Sequence, residues 1–229
     1  MYRELNFKKT HQTMQCLLQR ISERFPESSL LNVCRELETL SSETEAKAQK
    51  IAKPHIALRI CIGITIALAI GLIILSFNML EFKVKSFGIN EILPLLDALL
   101  NELIIFGAAV FFLTSLETRF KRAKALAALH ELRALAHVID MHQLTKDNED
   151  QGFNTASSPR RTLTPHELTR YLDYCSEMLS LTGKLAAIYA QNLPDAEVLS
   201  AVNDLETLTN SLSRKIWQKI MIIKQSASS

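Results

Sequence analysis

Two blocks of apolar residues divide the chain, and helical periodicity marks the stretches that flank them. Positions 60–80 carry no charge. A helix of that length, rising about 1.5 Å per residue, covers the roughly 30 Å hydrocarbon core of a bilayer. A second uncharged block at 103–116, taken with its neighbours, predicts another span over about 99–118. We expect Pro94 to start or bend this second helix.

The stretch before the first span predicts two amphipathic helices, because its apolar residues recur every three or four positions. The first set is Met14, Leu17, Leu18, Ile21 and Phe25, and the second is Leu30, Leu31, Cys34, Leu37 and Leu40. Positions 41–53 continue the second helix with small and charged residues. We expect this tail to be polar on all sides.

The stretch after the second span predicts three further helices. The first covers 119–146, with Leu129, Leu132, Ala136 and Ile139 as its apolar stripe. A flexible loop at 147–163 follows, and Thr164, Pro165 and Glu167 match a capping box that starts the next helix. That helix has one apolar row at Leu168, Tyr171, Leu172, Cys175, Leu179, Thr182, Ala186 and Tyr189, and another at Tyr174, Met178, Leu181, Leu185 and Ile188. Two rows indicate burial on two sides. The last helix has a near-heptad seam at Val198, Val202, Leu205, Thr209, Leu212, Ile216, Ile220 and Ile223.

These patterns predict an all-α membrane protein, in which a two-helix transmembrane hairpin joins a cytoplasmic helical bundle formed by the N- and C-terminal arms. The predicted divisions are N-terminal helices at 1–55, the hairpin at 56–118, a juxtamembrane helix at 119–146, the loop at 147–163 and C-terminal helices at 164–225. Basic residues set the orientation. Eight basic residues lie just before the first span or just after the second, and two lie between the spans. The eight are Lys47, Lys50, Lys53, Arg59, Arg119, Lys121, Arg122 and Lys124, and the two are Lys83 and Lys85. This bias places both termini in the cytoplasm.

Composition narrows the function classes. A formal net charge of +2 is too small to predict direct binding of nucleic acid, and no phosphate-binding glycine loop or hydrolase motif is present. Catalytic, cofactor and metal sites are therefore not predicted. Cys16, Cys34, Cys61 and Cys175 show no metal-ligand spacing, and we expect reduced, mostly buried thiols.

His130, Arg133, His137 and Asp140 form the densest polar pattern, spaced along one side of the juxtamembrane helix. We interpret them as a polar stripe that joins bundle helices or subunits. Contact with a partner or a nucleotide-like ligand remains an alternative. A metal site is a further alternative, although the two histidines lie two turns apart, too far for one ion.

Small residues recur every four positions in the first span, at Gly63, Ala67 and Gly71. Such a ridge lets another membrane helix approach closely. The approaching helix is either the second span of the same chain or the first span of a neighbour. The alternative is that the ridge reflects only the frequency of glycine and alanine in membrane helices.

Asp97, Asn101 and Glu102 are the polar candidates beside the second span. Ionisable groups inside a span usually face protein or water, and a ring of them in an oligomer favours cations. The alternative is that all three lie in water at the outer interface.

The layout of two spans with helices on both sides resembles the two-transmembrane effectors of bacterial anti-phage systems, such as SLATT-type and retron-associated proteins. The resemblance is one of architecture and includes no signature motif. It implies an oligomer that permeabilises the membrane under the control of a partner that senses infection.

Two main hypotheses follow. The first is a non-enzymatic, oligomeric effector of the bacterial inner membrane, with the lipid bilayer, further copies of the chain and a cytoplasmic regulatory protein or nucleoprotein as partners. The second is a membrane-anchored helical scaffold that recruits a cytoplasmic partner. A third, an enzyme, would have only His130, His137 and Asp140 as candidate groups.

Overall fold

The computed structural model describes residues 5–81, 89–144 and 163–226, and within these ranges it consists of six α-helices and no strand. The helices are α1 (Phe7–Arg24), α2 (Ser29–Ala52), α3 (Ile56–Glu81), α4 (Ile89–Leu144), α5 (Pro165–Asn192) and α6 (Ala196–Ser226). The predicted all-α class is therefore confirmed. Most of the predicted loop at 147–163 lies outside the described residues, as do Lys83 and Lys85.

The chain divides into two compact units. The bundle unit consists of Met1–Ala52 and Arg122–Ser229, and the hairpin unit is Lys53–Lys121. Helix α4, which is 56 residues long, contributes to both. It begins at Ile89, so Pro94 does not start it, while the other part of the expectation, a bend at Pro94, stays a prediction.

Helix α5 contacts α1, α2 and α6 in the bundle unit. Both of its predicted rows are buried, which confirms that this helix packs on two sides. Its side chains share one hydrophobic core with residues of α1, α2, α4 and α6. The predicted capping box is also present, because the Thr164 hydroxyl accepts from the Glu167 N–H at 3.3 Å and the Glu167 carboxylate accepts from the Thr164 N–H at 2.8 Å.

The eight predicted seam positions of α6 are all buried. Helices α5 and α6 approach closely at Gly183, where an added Cβ would lie 3.2 Å from the Thr209 Oγ1. The absence of a side chain at Gly183 therefore permits this contact.

The tail of α2 differs from its prediction. Ser41, Thr44, Ala48 and Ile51 are buried along one face. The expectation of a tail that is polar on all sides is therefore wrong. Ala48 and Ile51 supply apolar surface on the buried face, and the hydroxyls of Ser41 and Thr44 find partners there. Ser41 Oγ lies 3.0 Å from His11 Nδ1, and Thr44 Oγ1 donates to the Leu40 carbonyl at 2.7 Å.

Candidate functional site

Helices α3 and α4 are both long and apolar enough to cross a membrane, and no residue of either apolar window is buried inside the structure. Residues whose neighbours are lipid have that exposure, as do residues covered by other subunits. The candidate functional residues of the hairpin unit are therefore distinguished by which side of each helix they occupy.

Glu117 of α4 links this helix to the start of α3 through a hydrogen bond and an ion pair. Its carboxylate accepts a hydrogen bond from the His55 backbone N–H at 3.2 Å, just before α3 begins. It also pairs with Lys121 at 2.8 Å, and the Arg59 Nε lies 3.9 Å away. The carboxylate thus satisfies one of the orphan N–H groups at the start of α3. Sequence patterns missed this residue because two of its partners, His55 and Arg59, lie about sixty positions away along the chain.

The Arg59–Glu117 pair also sets the register of the two helices. Ile73 lies fourteen residues after Arg59, and Leu103 lies fourteen residues before Glu117. Both line the same groove between α3 and α4, as expected for antiparallel helices of equal rise. By the same count, Leu80 at the end of the first charge-free run lies level with Leu96.

Each helix has one half-buried row. The α3 row is Ile62, Thr65, Ala69 and Ile73, and the α4 row is Leu99, Glu102, Phe106, Val110 and Leu113. Ala69, Ile73, Glu102, Phe106 and Val110 also line the groove between the helices. These rows are therefore the sides on which α3 and α4 face each other.

The ridge of small residues lies on the other side of α3. Gly63, Ala67 and Gly71 are exposed, and a Cβ added at either glycine would meet no atom within 4 Å. At 3.6 residues per turn, the ridge is centred about 160° around the helix axis from the half-buried row. Two helices were predicted to contact this ridge, the second span of the same chain or the first span of a neighbour. In the hairpin unit, the second span of the same chain does not lie against it.

The structure separates the three polar candidates of the second span. Asp97 and Asn101 are exposed and point away from α3, whereas Glu102 lies in the half-buried row. By helical rise, Glu102 lies about 9 Å inside the level of Leu96 and Leu80. Its surroundings are the apolar side chains of the groove, which has a volume of about 280 Å³.

The polar stripe of α4 does not form a buried row. His130 and His137 are exposed, while the buried face consists of Leu129, Leu132, Ala136 and Ile139. The other two stripe residues find partners: the Arg133 Nη2 lies 3.8 Å from Asp204 of α6, and Asp140 accepts from the Gln143 amide at 2.6 Å. Within the part of the chain that the structure describes, the stripe therefore joins bundle helices through Arg133 alone.

A metal site requires several ligating side chains close together, and a reactive thiol must be exposed to solvent. Across residues 5–81, 89–144 and 163–226, no three His, Cys, Asp or Glu side chains are grouped to hold a metal ion. All four cysteines are free, and only Cys34 and Cys175 are buried, so the expectation of mostly buried thiols holds for half of them. Burial raises the pKa of each of these two thiols to about 12, with a smaller contribution from Glu38 at Cys34.

Comparisons with protein-family models, with curated proteins and with solved structures find no match for this chain.

Proposed function

We propose that this protein is an oligomeric effector of the bacterial inner membrane that permeabilises the bilayer when a partner or signal releases it, in defence against phage. The observation that carries the proposal is the open ridge of Gly63, Ala67 and Gly71 on the side of α3 opposite α4. A ridge of that kind favours close helix contact in lipid. Since the chain's own second span lies elsewhere, another copy of α3 is the proposed occupant.

Helix α4 supports a regulated assembly. It is one continuous helix that belongs to the hairpin unit up to Lys121 and to the bundle unit from Arg122 onward. In the proposal, a bound regulatory protein or nucleoprotein holds the bundle in a packing that keeps the hairpin closed, and its departure changes the packing around α4. The same helix carries that change to the hairpin, where the spans form the lesion.

The proposed orientation follows from the charges. The basic residues that flank the spans exceed those between them, which favours a cytoplasmic position for both termini and for the bundle. The lipid bilayer and further copies of the chain are the other proposed partners. Enzymatic activity, a cofactor and direct binding of nucleic acid are not part of the proposal.

Expression in bacteria tests the proposal with a matched pair of variants at one position. Gly71→Leu fills the ridge, whereas Gly71→Ala keeps it shallow, and both raise the helix propensity of the residue. We expect the wild type and Gly71→Ala to collapse the membrane potential, and Gly71→Leu to leave it intact at equal membrane abundance. An intact potential with the wild type, in cells that lack every candidate regulator, would count against the proposal.

A second candidate, the membrane-anchored scaffold, is favoured by the outer face of α4. His130, His137 and Met141 share this face and are exposed, with 65% of Met141 accessible. Val138 and Leu144 beside Met141 are exposed as well, and a patch of neighbouring apolar side chains is typical of a protein contact. The scaffold predicts that Gly71→Leu leaves function largely unchanged, and that Met141→Glu abolishes recruitment of the partner.

A further inference from the structure

One face of α4 in the bundle unit is exposed over its described length. Six positions on this face recur at steps of three and four residues, and all six side chains are exposed. They are Ala127, His130, Ala134, His137, Met141 and Leu144, which we call the outer seam. None of the six is an aspartate, glutamate, lysine or arginine. By helical rise, the outer seam is a weakly polar strip about 25 Å long.

The spacing of the outer seam is that of a coiled coil. The six positions form two sets with a seven-residue repeat, Ala127, Ala134 and Met141 in one and His130, His137 and Leu144 in the other. A repeat of seven keeps such positions on the side of a helix that meets a partner helix. The opposite face of α4 already packs into the core of the bundle unit, for example through Leu132 and Ile139. Helix α4 therefore has a second packing face, which its own bundle leaves open.

Charged residues border the outer seam on both sides. Glu131 on one border pairs with Lys47 of α2 at 3.2 Å, and Arg133 on the other lies 3.8 Å from Asp204 of α6. In a parallel pair of helices related by a two-fold axis, each border faces the opposite border of the other copy. Glu131 of one copy then lies on the side of Arg133 of the other. The two borders are therefore complementary in charge, and the two-fold axis repeats this match.

The course of α4 favours a second copy of the chain as the occupant. The helix runs without a break from the apolar window that is long enough to cross a membrane into the outer seam. Copies inserted in one membrane in the same orientation carry this helix out of the bilayer in the same direction. Anchoring in one membrane also raises the effective concentration of the seams. Identical residues then meet at the same level, as a parallel pair requires.

We infer that the outer seam is an interface at which the α4 helices of two copies pair in parallel. The inference shares the proposed membrane location with the proposed function. It goes beyond that function because it requires neither a lesion nor the contact of the α3 ridge. It also assigns to a second copy the face that the scaffold candidate gives to a different protein.

Disulfide cross-linking in bacterial membranes tests the pairing. Ala127→Cys and Met141→Cys are made singly in the full-length chain with its four native cysteines replaced by alanine. Parallel pairing places each position level with itself, whereas an antiparallel contact centred on Ala134 places position 127 beside position 141. A chain that retains Cys16 alone is the control, because this thiol is exposed on α1, which packs on α2 and α5. We expect oxidation to link both seam variants into dimers and to leave the control monomeric.

A charge at the centre of the seam provides the matched test. Ala134 is exposed, so Ala134→Glu adds a carboxylate without burying it in the single chain. With Met141→Cys as the reporter, we expect Ala134→Glu to lower the dimer fraction about fivefold or more, because two like charges meet in the seam. Glutamate instead of alanine at position 16 should leave the fraction unchanged.

An equal dimer fraction with and without Ala134→Glu overturns the inference and leaves the proposed function standing. Linkage of the Cys16 control as strong as that of the seam variants overturns it as well. A different protein linked at positions 127 and 141 overturns it and assigns this face to the partner of the scaffold. Seam dimers in cells that lack every candidate regulator and keep an intact membrane potential support the inference and count against the proposed function.

Discussion

Arg122 donates two hydrogen bonds to a single oxygen of Asp195, from Nε at 3.0 Å and from Nη2 at 2.8 Å. The other oxygen of Asp195 accepts from the backbone N–H groups of Glu197 at 3.0 Å and Val198 at 3.2 Å, at the start of α6. One carboxylate therefore caps α6 and ties it to the first residue that α4 contributes to the bundle unit.

This double role predicts a pH dependence of stability. The hydrogen bond from Arg122 lowers the pKa of Asp195, with further help from the backbone N–H groups of α6. A carboxyl group whose pKa is lower in the folded state stabilises the fold above its unfolded value of 3.8, and this contribution is lost as the pH falls through the folded value. Thermal unfolding of the wild type and Asp195→Asn should differ at pH 7 and converge as the pH falls below about 4.

Asp195→Ala separates the two roles. Asparagine is as good an N-cap as aspartate, so Asp195→Asn removes the charge and keeps the cap. Alanine removes both, and we expect Asp195→Ala to cost about 1 kcal/mol more than Asp195→Asn in the free energy of unfolding. Equal unfolding free energies for the two variants would show that the cap contributes nothing.

The capping box of α5 gives a second prediction. Thr164→Ala should lower the unfolding free energy by about 1 kcal/mol, because the Glu167 N–H loses its acceptor. Thr169→Ala, five residues further along the chain, serves as the control, since the Thr169 hydroxyl donates to the Pro165 carbonyl within the helix and does not cap it. Circular dichroism melts of both variants in detergent measure the difference. The cap is unimportant if the two variants melt together.

The thiols give a third prediction. With a pKa raised to about 12, a fraction on the order of one in ten thousand of Cys34 or Cys175 is thiolate at pH 8. In a Cys61→Ala background, a water-soluble maleimide should modify the exposed Cys16 in the folded protein, and all three remaining thiols after denaturation. Rapid labelling of Cys34 or Cys175 before denaturation contradicts the packing of the bundle unit.

The periodicity of apolar residues was enough to predict α5 and α6. Both rows of α5 and the whole seam of α6 are buried as expected, since helical spacing is a local property that places those residues on defined faces. The capping box at Thr164 was predictable for the same reason, because its two residues lie three positions apart.

The polar residues of the hairpin were not predictable in this way. Asp97, Asn101 and Glu102 lie within six positions, yet only Glu102 faces α3, and that choice depends on the register between the two helices. Glu117 likewise acquires its role from His55 and Arg59, which are remote in sequence. His130 and His137 were interpreted as part of a polar stripe that joins helices or subunits, but both are exposed in the described chain, and the buried residues of α4 lie on its other faces.

Cross-linking provides a fourth prediction, on the occupant of the α3 ridge. Ala67→Cys places a thiol in the ridge, and Thr65→Cys places one in the half-buried row that faces α4. With the four native cysteines replaced by alanine, oxidation in the membrane should give a disulfide-linked dimer through position 67 and little through position 65. Cross-linking at position 65 alone would assign the contact to the other side of α3.

Potassium efflux from liposomes tests the central claim most directly, because purified protein is free of any cellular regulator. Liposomes loaded with KCl receive equal inserted amounts of the wild type, Gly71→Ala or Gly71→Leu, and a K⁺ electrode follows release. We predict efflux with the wild type and Gly71→Ala, and retention with Gly71→Leu close to that of empty liposomes. The claim is contradicted if wild-type proteoliposomes retain K⁺ as well as empty ones, or if Gly71→Leu releases it as fast as the wild type.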